Sequence, residues 1–458
     1  MRIPAAPAGG LLAFSAQRLL GPYAEPSTTP LAHEAFLARA QAERERGADL
    51  GARLALGAYA VVRLLDAAIL AGFDLADTEG AFTWQHARVR QYLDGLPGTE
   101  PEAAHLGGIV AALEQGPAAV RASLTGYAWH LEQEARLDEA HEALVLAVRT
   151  WPGEIPPGEF GPLALFVARL HRLRARWVEA TDAYRAAEEA GRHCGDAVVM
   201  LRGQAGQGAV LRGQGNLPAA RHAAELVAAE AEARGLRDIQ AGAAADLGVV
   251  LMLMGRQVEA LAALYDSFQY TTDLTARMRV VGDLGIGLAD LGVVEAARTA
   301  FEIVIASGTS RLVRVNAQIE LMELESRVGN RVAFEQLRQA VRGFADRMPP
   351  SMAVDFRYKA GLGLARFGQT GRARVLWEEG RAIAEARGLN EPFFRLERLL
   401  RGAPEGAPEG APEAWMAEAS RTEAPSEVTT DAASVSALRR MTVGLRLYAS
   451  LAEAGSAT

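Results

Sequence analysis

The sequence predicts an all-α fold of stacked antiparallel helix hairpins, and three observations carry that prediction. Alanine, leucine, glycine and arginine dominate while aromatic residues make up only 6% of the chain, a composition that favours helix over strand. Apolar residues recur at helical spacing between glycine stops along most of the length. A small residue also recurs as an anchor, in nearly even steps along the chain, at Ala135, Ala175, Gly215, Gly255, Gly292, Gly329 and Gly368.

Half of the 458 residues are hydrophobic, enough to bury a large core. Residues 1–29 are rich in Pro and Gly and read as a loose segment; the breaks in the apolar run "AAPAGGLLAFSA" argue against a signal peptide. "STTPLAHEAFLARAQAERERG" predicts a helix capped by Thr29, with Pro30 in its first turn and Gly47 at its end. Leu54 to Ala76 is apolar but carries Arg63, Asp66 and Asp74, so it reads as a buried helix and not a membrane span. "DTEGAFTWQHARVRQYLDG" is helical to about Asp94. "TEPEAAHLGG" opens a further helix with a capping box of Thr99 and Glu102. Residues 30–117 thus form an all-helical N-terminal domain without an obvious repeat.

From residue 118 the chain repeats. On the N-terminal side of the anchors, at one fixed offset, stand Ala128, Ala168, Gly208, Gly248, Gly285 and Gly361, with Met322 as the exception. On the C-terminal side, again at one offset, stand Ala140, Ala180, Ala220, Ala260, Ala297 and Ala373, with Phe334 as the exception. One helical turn further on, a larger group is common: Leu144, Tyr184, Leu264, Phe301 and Trp377. Small residues let paired helices approach, and the anchor makes the turn between them. "YAWHLEQEARLDEAHEALVLAVRTWP", "DLGVVLMLMGRQVEALAAL" and "DLGIGLADLGVVEAARTAFEIV" carry this pattern best. It resembles the tetratricopeptide repeat, in a long unit similar to the arrays of bacterial transcription activators and peptide-sensing regulators. The resemblance implies a right-handed α-solenoid of about seven helix pairs over residues 118–401, with the N-terminal helices as a cap. Residues 402–430, with three GAPE units and Ser, Thr and Glu, cannot build a packed core and read as a disordered linker. Residues 431–458 hold an amphipathic helix on this tether, whose apolar face is Val435, Leu438, Met441, Leu445 and Tyr448.

"LRGQAGQGAVLRGQGNL" invites a phosphate-loop reading, but its order is GxxGxG, no strand precedes it, and Gly208 and Gly215 sit at the repeat register. No GxxxxGK[ST], GxSxG or HExxH occurs, and the sole lysine is Lys359. No cofactor, metal or catalytic site is expected. Cys194, the sole cysteine, excludes an internal disulfide and reads as a small buried hydrophobe. The acids of "ELMELE", Glu320, Glu323 and Glu325, read as a solvated helix face. A net charge of -8 disfavours a nucleic-acid partner despite the basic run "RLHRLRARW".

The resemblance implies that first helices line a concave groove. By position this groove shows Trp129 and Glu132, Arg169 and Arg172, Arg202 and Arg212, Val249 and Met252, Arg279 and Ile286, Glu323 and Arg327, then Tyr358, Leu362 and Arg366. Arginines flank an apolar middle, which suits a peptide or partner protein carrying acids. The lysines and asparagines of the carboxylate-clamp variety are replaced here by Thr125, Leu165, Ala205 and Ala245. The expected function is a non-enzymatic, cytoplasmic interaction scaffold. The alternative is a regulatory sensor in which residues 432–453 dock within the chain, or recruit a partner. A membrane contact through Arg439, Arg440 and Arg446 is the least favoured.

Overall fold

All seven anchors turn the backbone through the left-handed region, at φ 61° for Ala135, 56° for Ala175 and 75–84° for the five glycines. This is the conformation that ends one helix sharply and starts the next. The two alanines adopt it against a steric cost that glycine lacks, about 1–2 kcal/mol, larger than the extra chain entropy glycine loses on folding. Ala135→Gly and Ala175→Gly are therefore each expected to stabilise by about 0.5–1 kcal/mol. A rise in denaturant midpoint checks this, and a fall would contradict it.

The computed structural model describes residues 14–21, 33–47, 49–74 and 80–402. Among these the chain forms twenty α-helices, with no strand beyond an isolated bridge between Ser15 and Glu154. The first nine are α1 (Ala16–Leu20), α2 (Glu34–Glu45), α3 (Asp49–Leu70), α4 (Ala81–Asp94), α5 (Pro101–Leu113), α6 (Pro117–Gln133), α7 (Leu137–Arg149), α8 (Pro157–Leu173) and α9 (Trp177–Cys194). Then follow α10 (Ala197–Gly213), α11 (Leu217–Ala233), α12 (Arg237–Leu253), α13 (Gln257–Tyr270), α14 (Leu274–Asp290), α15 (Val294–Ala306), α16 (Arg311–Arg327), α17 (Arg331–Arg342), α18 (Pro350–Arg366), α19 (Thr370–Ala386) and α20 (Asn390–Gly402). The fold is all-α and built from repeated helix–turn–helix units, as the sequence predicts. No helix among the described residues is long and apolar enough to cross a membrane.

The chain divides into two compact units. The first comprises the described residues up to 132, with 136–170 and 186–200. A buried ionic network ties its N-terminal helices to the first hairpin. Arg39 of α2 donates to both oxygens of Glu102 at 2.8 Å, and Arg136 pairs with Glu102 at 2.8 Å and with Glu139. Tyr127 Oη donates to Glu102 at 2.7 Å. This replaces the expected capping box: α5 begins after Glu100 without a side-chain cap, and Glu102 turns inward. Burial pushes the Glu102 carboxyl up, but Arg39, Arg136 and Tyr127 outweigh it and hold it at about 2. Two further expectations change here. The stretch around Phe14 is packed, not loose, with its ring 5.1 Å from Phe160. Cys194 is exposed, because α9 ends there and the turn at Gly195 carries it into solvent. Thr29, Pro30 and residues 403–458 lie outside the described residues.

The second unit comprises, among the described residues, 133–135, 171–185 and 201–402. Its core repeats one contact. A Cβ placed on Gly248 would lie 2.6 Å from Leu264, on Gly285 2.6 Å from Phe301, and on Gly361 it would overlap the Trp377 indole. In these three hairpins the small residue before the anchor is thus the socket for the large one after it. Gly206 and Gly213, both in α10, instead receive Tyr184 and Trp177 from the preceding helix α9, so the glycine-rich stretch is helix as far as Gly213, with Gly215 in the turn. The degenerate sixth unit is compensated: Phe334, in place of alanine, fills the space over Gly363, where a Cβ would overlap its ring.

Candidate functional site

On α14, Arg279, Asp283, Ile286 and Asp290 fall on one stripe, because separations of three and four return to the same helix face. The equivalent stripe is Arg202, Gly206, Ala209 and Gly213 on α10, and Gly242, Asp246, Val249 and Leu253 on α12. It continues as Asn316, Glu320, Glu323 and Arg327 on α16, and as Asp355, Lys359, Leu362 and Arg366 on α18. Charges of successive first helices meet along it. Arg212 Nη1, at its edge, donates to Asp246 at 2.8 Å. Arg327 donates to Glu323 at 2.9 Å and to Asp290 at 3.4 Å. Arg366 donates to Ser326 Oγ at 2.6 Å and lies 3.7 Å from Glu323. Lys359 Nζ reaches Asp355 at 2.8 Å and also Glu320. Burial pulls the Lys359 ammonium down, but Asp355, Glu320 and Glu323 outweigh it and hold it above the ordinary lysine range. Burial pushes the Asp283 carboxyl up to about 6 against the pull of Arg212 and Arg279, with Asp246 pushing the same way as burial.

The three acids of "ELMELE" are therefore not a solvated face. All are buried, and each has a cation: Lys359 for Glu320, Arg327 and Arg366 for Glu323, Arg298 at 2.8 Å for Glu325. Glu323, at 5% exposed, and Leu362, at 2%, present almost no surface. Val249, Met252 and Ile286 are half-buried and form the apolar middle. Tyr358 is half-buried, with the Arg395 guanidinium 5.1 Å over its ring. Arg172 Nε donates to Tyr184 Oη at 3.3 Å. Arg202 and Arg279 differ from all of these. Both are exposed, both take the first place on the stripe of their helix, and neither makes an ion pair or hydrogen bond among the described residues, although Arg279 lies in the field of Asp283 one turn along α14. The equivalent residue on the helix between them is Gly242, with nothing within 4 Å of where its Cβ would be.

In the first unit, Trp129 is 43% exposed and carries the Arg169 guanidinium 4.2 Å from its ring centre. Phe166 lies 4.7 Å from Trp129, and Arg169 pairs with Glu132. This stack spreads a cation over an aromatic face. The tail residues Val435, Leu438, Met441, Leu445 and Tyr448 lie outside the described residues.

Sequence reasoning missed Asp246, Asp283, Asp290 and Lys359. For Asp246, Asp290 and Lys359 the signal is an opposite charge one repeat away, as in the pairs Arg212–Asp246, Arg327–Asp290 and Lys359–Glu320. Among the described residues no three His, Cys, Asp or Glu side chains come together as metal ligands.

No family model and no curated protein matches the chain. Among solved structures it is similar to a Rap protein complexed with competence and sporulation factor, at 10% identity and a TM-score of 0.49, covering 74% of this chain and 99% of that one. It is also similar to the apo form of RapI, at 11% identity and a TM-score of 0.44, covering 71% and 98%.

Proposed function

We propose that the chain is a non-enzymatic scaffold that binds an extended, acidic peptide segment along the first-helix face of its second unit. One observation carries the reading. Most charged groups on that stripe are neutralised by a neighbouring helix, while Arg202 and Arg279 stand exposed on either side of a bare glycine. Exposed guanidiniums seek carboxylates, and the half-buried Val249, Met252 and Ile286 offer apolar contact between them. The two arginines lie two repeats apart, about 20 Å at the usual spacing of packed helices. An extended strand covers that in about six residues.

Selection of a random peptide library on the full chain tests the reading. The enriched peptides should carry acids about five to seven residues apart and bind less tightly as salt rises. Enrichment of basic or wholly apolar peptides would contradict it.

A further inference from the structure

The chain holds its own candidate ligand for this face. Residues 405–431 carry a regular series of acids, Glu405, Glu409, Glu413, Glu418, Glu423, Glu427 and Asp431, against the single cation Arg421. Pro408, Pro412 and Pro425 stand among them, and a proline-rich chain favours the extended backbone that the two-arginine spacing requires.

The second unit also brings the start of the helix that leads into this stretch beside the end of α10. Trp177 Nε1 donates to the carbonyl of Arg387 at 3.0 Å, and a Cβ on Gly215 would lie 3.9 Å from Glu391. Arg311 pairs with Glu134 at 3.2 Å. These contacts join turns far apart in the chain, so the unit curls back on itself and the last helix starts beside the end of α10. From Glu391 to Gly402 along α20 is about 17 Å, and from Gly215 to Arg202 along α10 about 20 Å. Gly402 is thus within about 45 Å of Arg202 by this path. An extended chain of about 3.3 Å per residue passes that distance by Glu418, and by Glu423 or Glu427 it also covers the further step of about 20 Å to Arg279.

We propose that residues 405–431 occupy the first-helix face through Arg202 and Arg279, so that the chain carries a tethered competitor for its partner. This rests on the peptide-binding reading above and adds the occupant. A tether of this length gives an effective concentration on the order of millimolar. An external acidic peptide must exceed it to bind, which makes the tail a threshold on occupancy.

Arg421 supplies the assay, because trypsin cuts after it in the middle of the stretch. In the full chain at low salt, cleavage there is expected to be at least about fivefold slower than in the Arg202→Glu/Arg279→Glu variant. A second variant carries Glu→Gln at 405, 409, 413, 418, 423 and 427 and should be cut as fast as the first. A labelled synthetic peptide of residues 403–431 is the probe in trans. It should bind the tail-neutralised chain at least about fivefold tighter than the unaltered one. Equal cleavage rates in all three proteins, or protection that survives the arginine substitutions, overturns the proposal. A peptide that binds unaltered and tail-neutralised chains alike also overturns it, but leaves the peptide-binding reading standing. A peptide that binds neither removes both.

Discussion

Gly361→Ala is expected to destabilise the second unit by about 1–3 kcal/mol, and Gly361→Val by more. On an open helix the same change would gain about 1 kcal/mol, because glycine is a poor helix former. Here the added carbon overlaps Trp377 Nε1 and lies 2.7 Å from Cδ1 and 2.8 Å from Cε2. The indole cannot step aside: Trp377 is 0% exposed, and its N–H donates to the Tyr358 carbonyl at 3.2 Å. The first hairpin shows the way out, since it sets Ala128 in the small position and Leu144 in the large one. Gly361→Ala should therefore change sign in a Trp377→Leu background and become stabilising, while Trp377→Leu alone costs the indole's burial. Denaturant unfolding of the four proteins measures this. A destabilising alanine in both backgrounds would refute the socket account.

Glu102→Gln is expected to cost the first unit about 3–5 kcal/mol, because it leaves Arg39 and Arg136 buried with only Glu139 to oppose them. The same carboxylate sets a pH dependence. Its pKa falls from an ordinary 4.5 to about 2 on folding, so its contribution of about 3 kcal/mol is present above the unfolded value. It is lost as pH falls from about 4.5 towards 2. Unaltered protein should lose stability steeply across that window, and Glu102→Gln should lose distinctly less. Parallel pH profiles for the two proteins would show that the network does not bear on stability.

The repeat is legible in the sequence because its causes are local. A turn through positive φ requires a small anchor, and the socket and its filler lie on one hairpin, either side of that turn, as with Gly361 and Trp377. What stays hidden depends on neighbours one repeat away. Met322 and Phe334 read as decay of the pattern, yet Phe334 is accommodated by Gly363 in the next unit. "ELMELE" reads as solvated until Lys359 arrives from the following first helix. At the candidate site the arginines are legible as residues, but not which of them remain exposed. Arg212 is taken up by Asp246 and Arg327 by Glu323 and Asp290, whereas Arg202 and Arg279 have the same residue type and no ion pair among the described residues. Position alone puts Leu362 in the groove, and the close packing of α18 buries it.

Charge-matched variants test the central claim most directly. Arg202→Glu/Arg279→Glu and Arg234→Glu/Arg401→Glu change net charge equally, but the second pair sits on exposed arginines already paired within their own helices. Titrating a labelled acidic peptide into each full-length protein at fixed salt separates the site from the general field. A loss of at least about tenfold in affinity for the first variant, about 1.4 kcal/mol, with little change for the second, is the predicted result. Equal losses, or none in either, would contradict it.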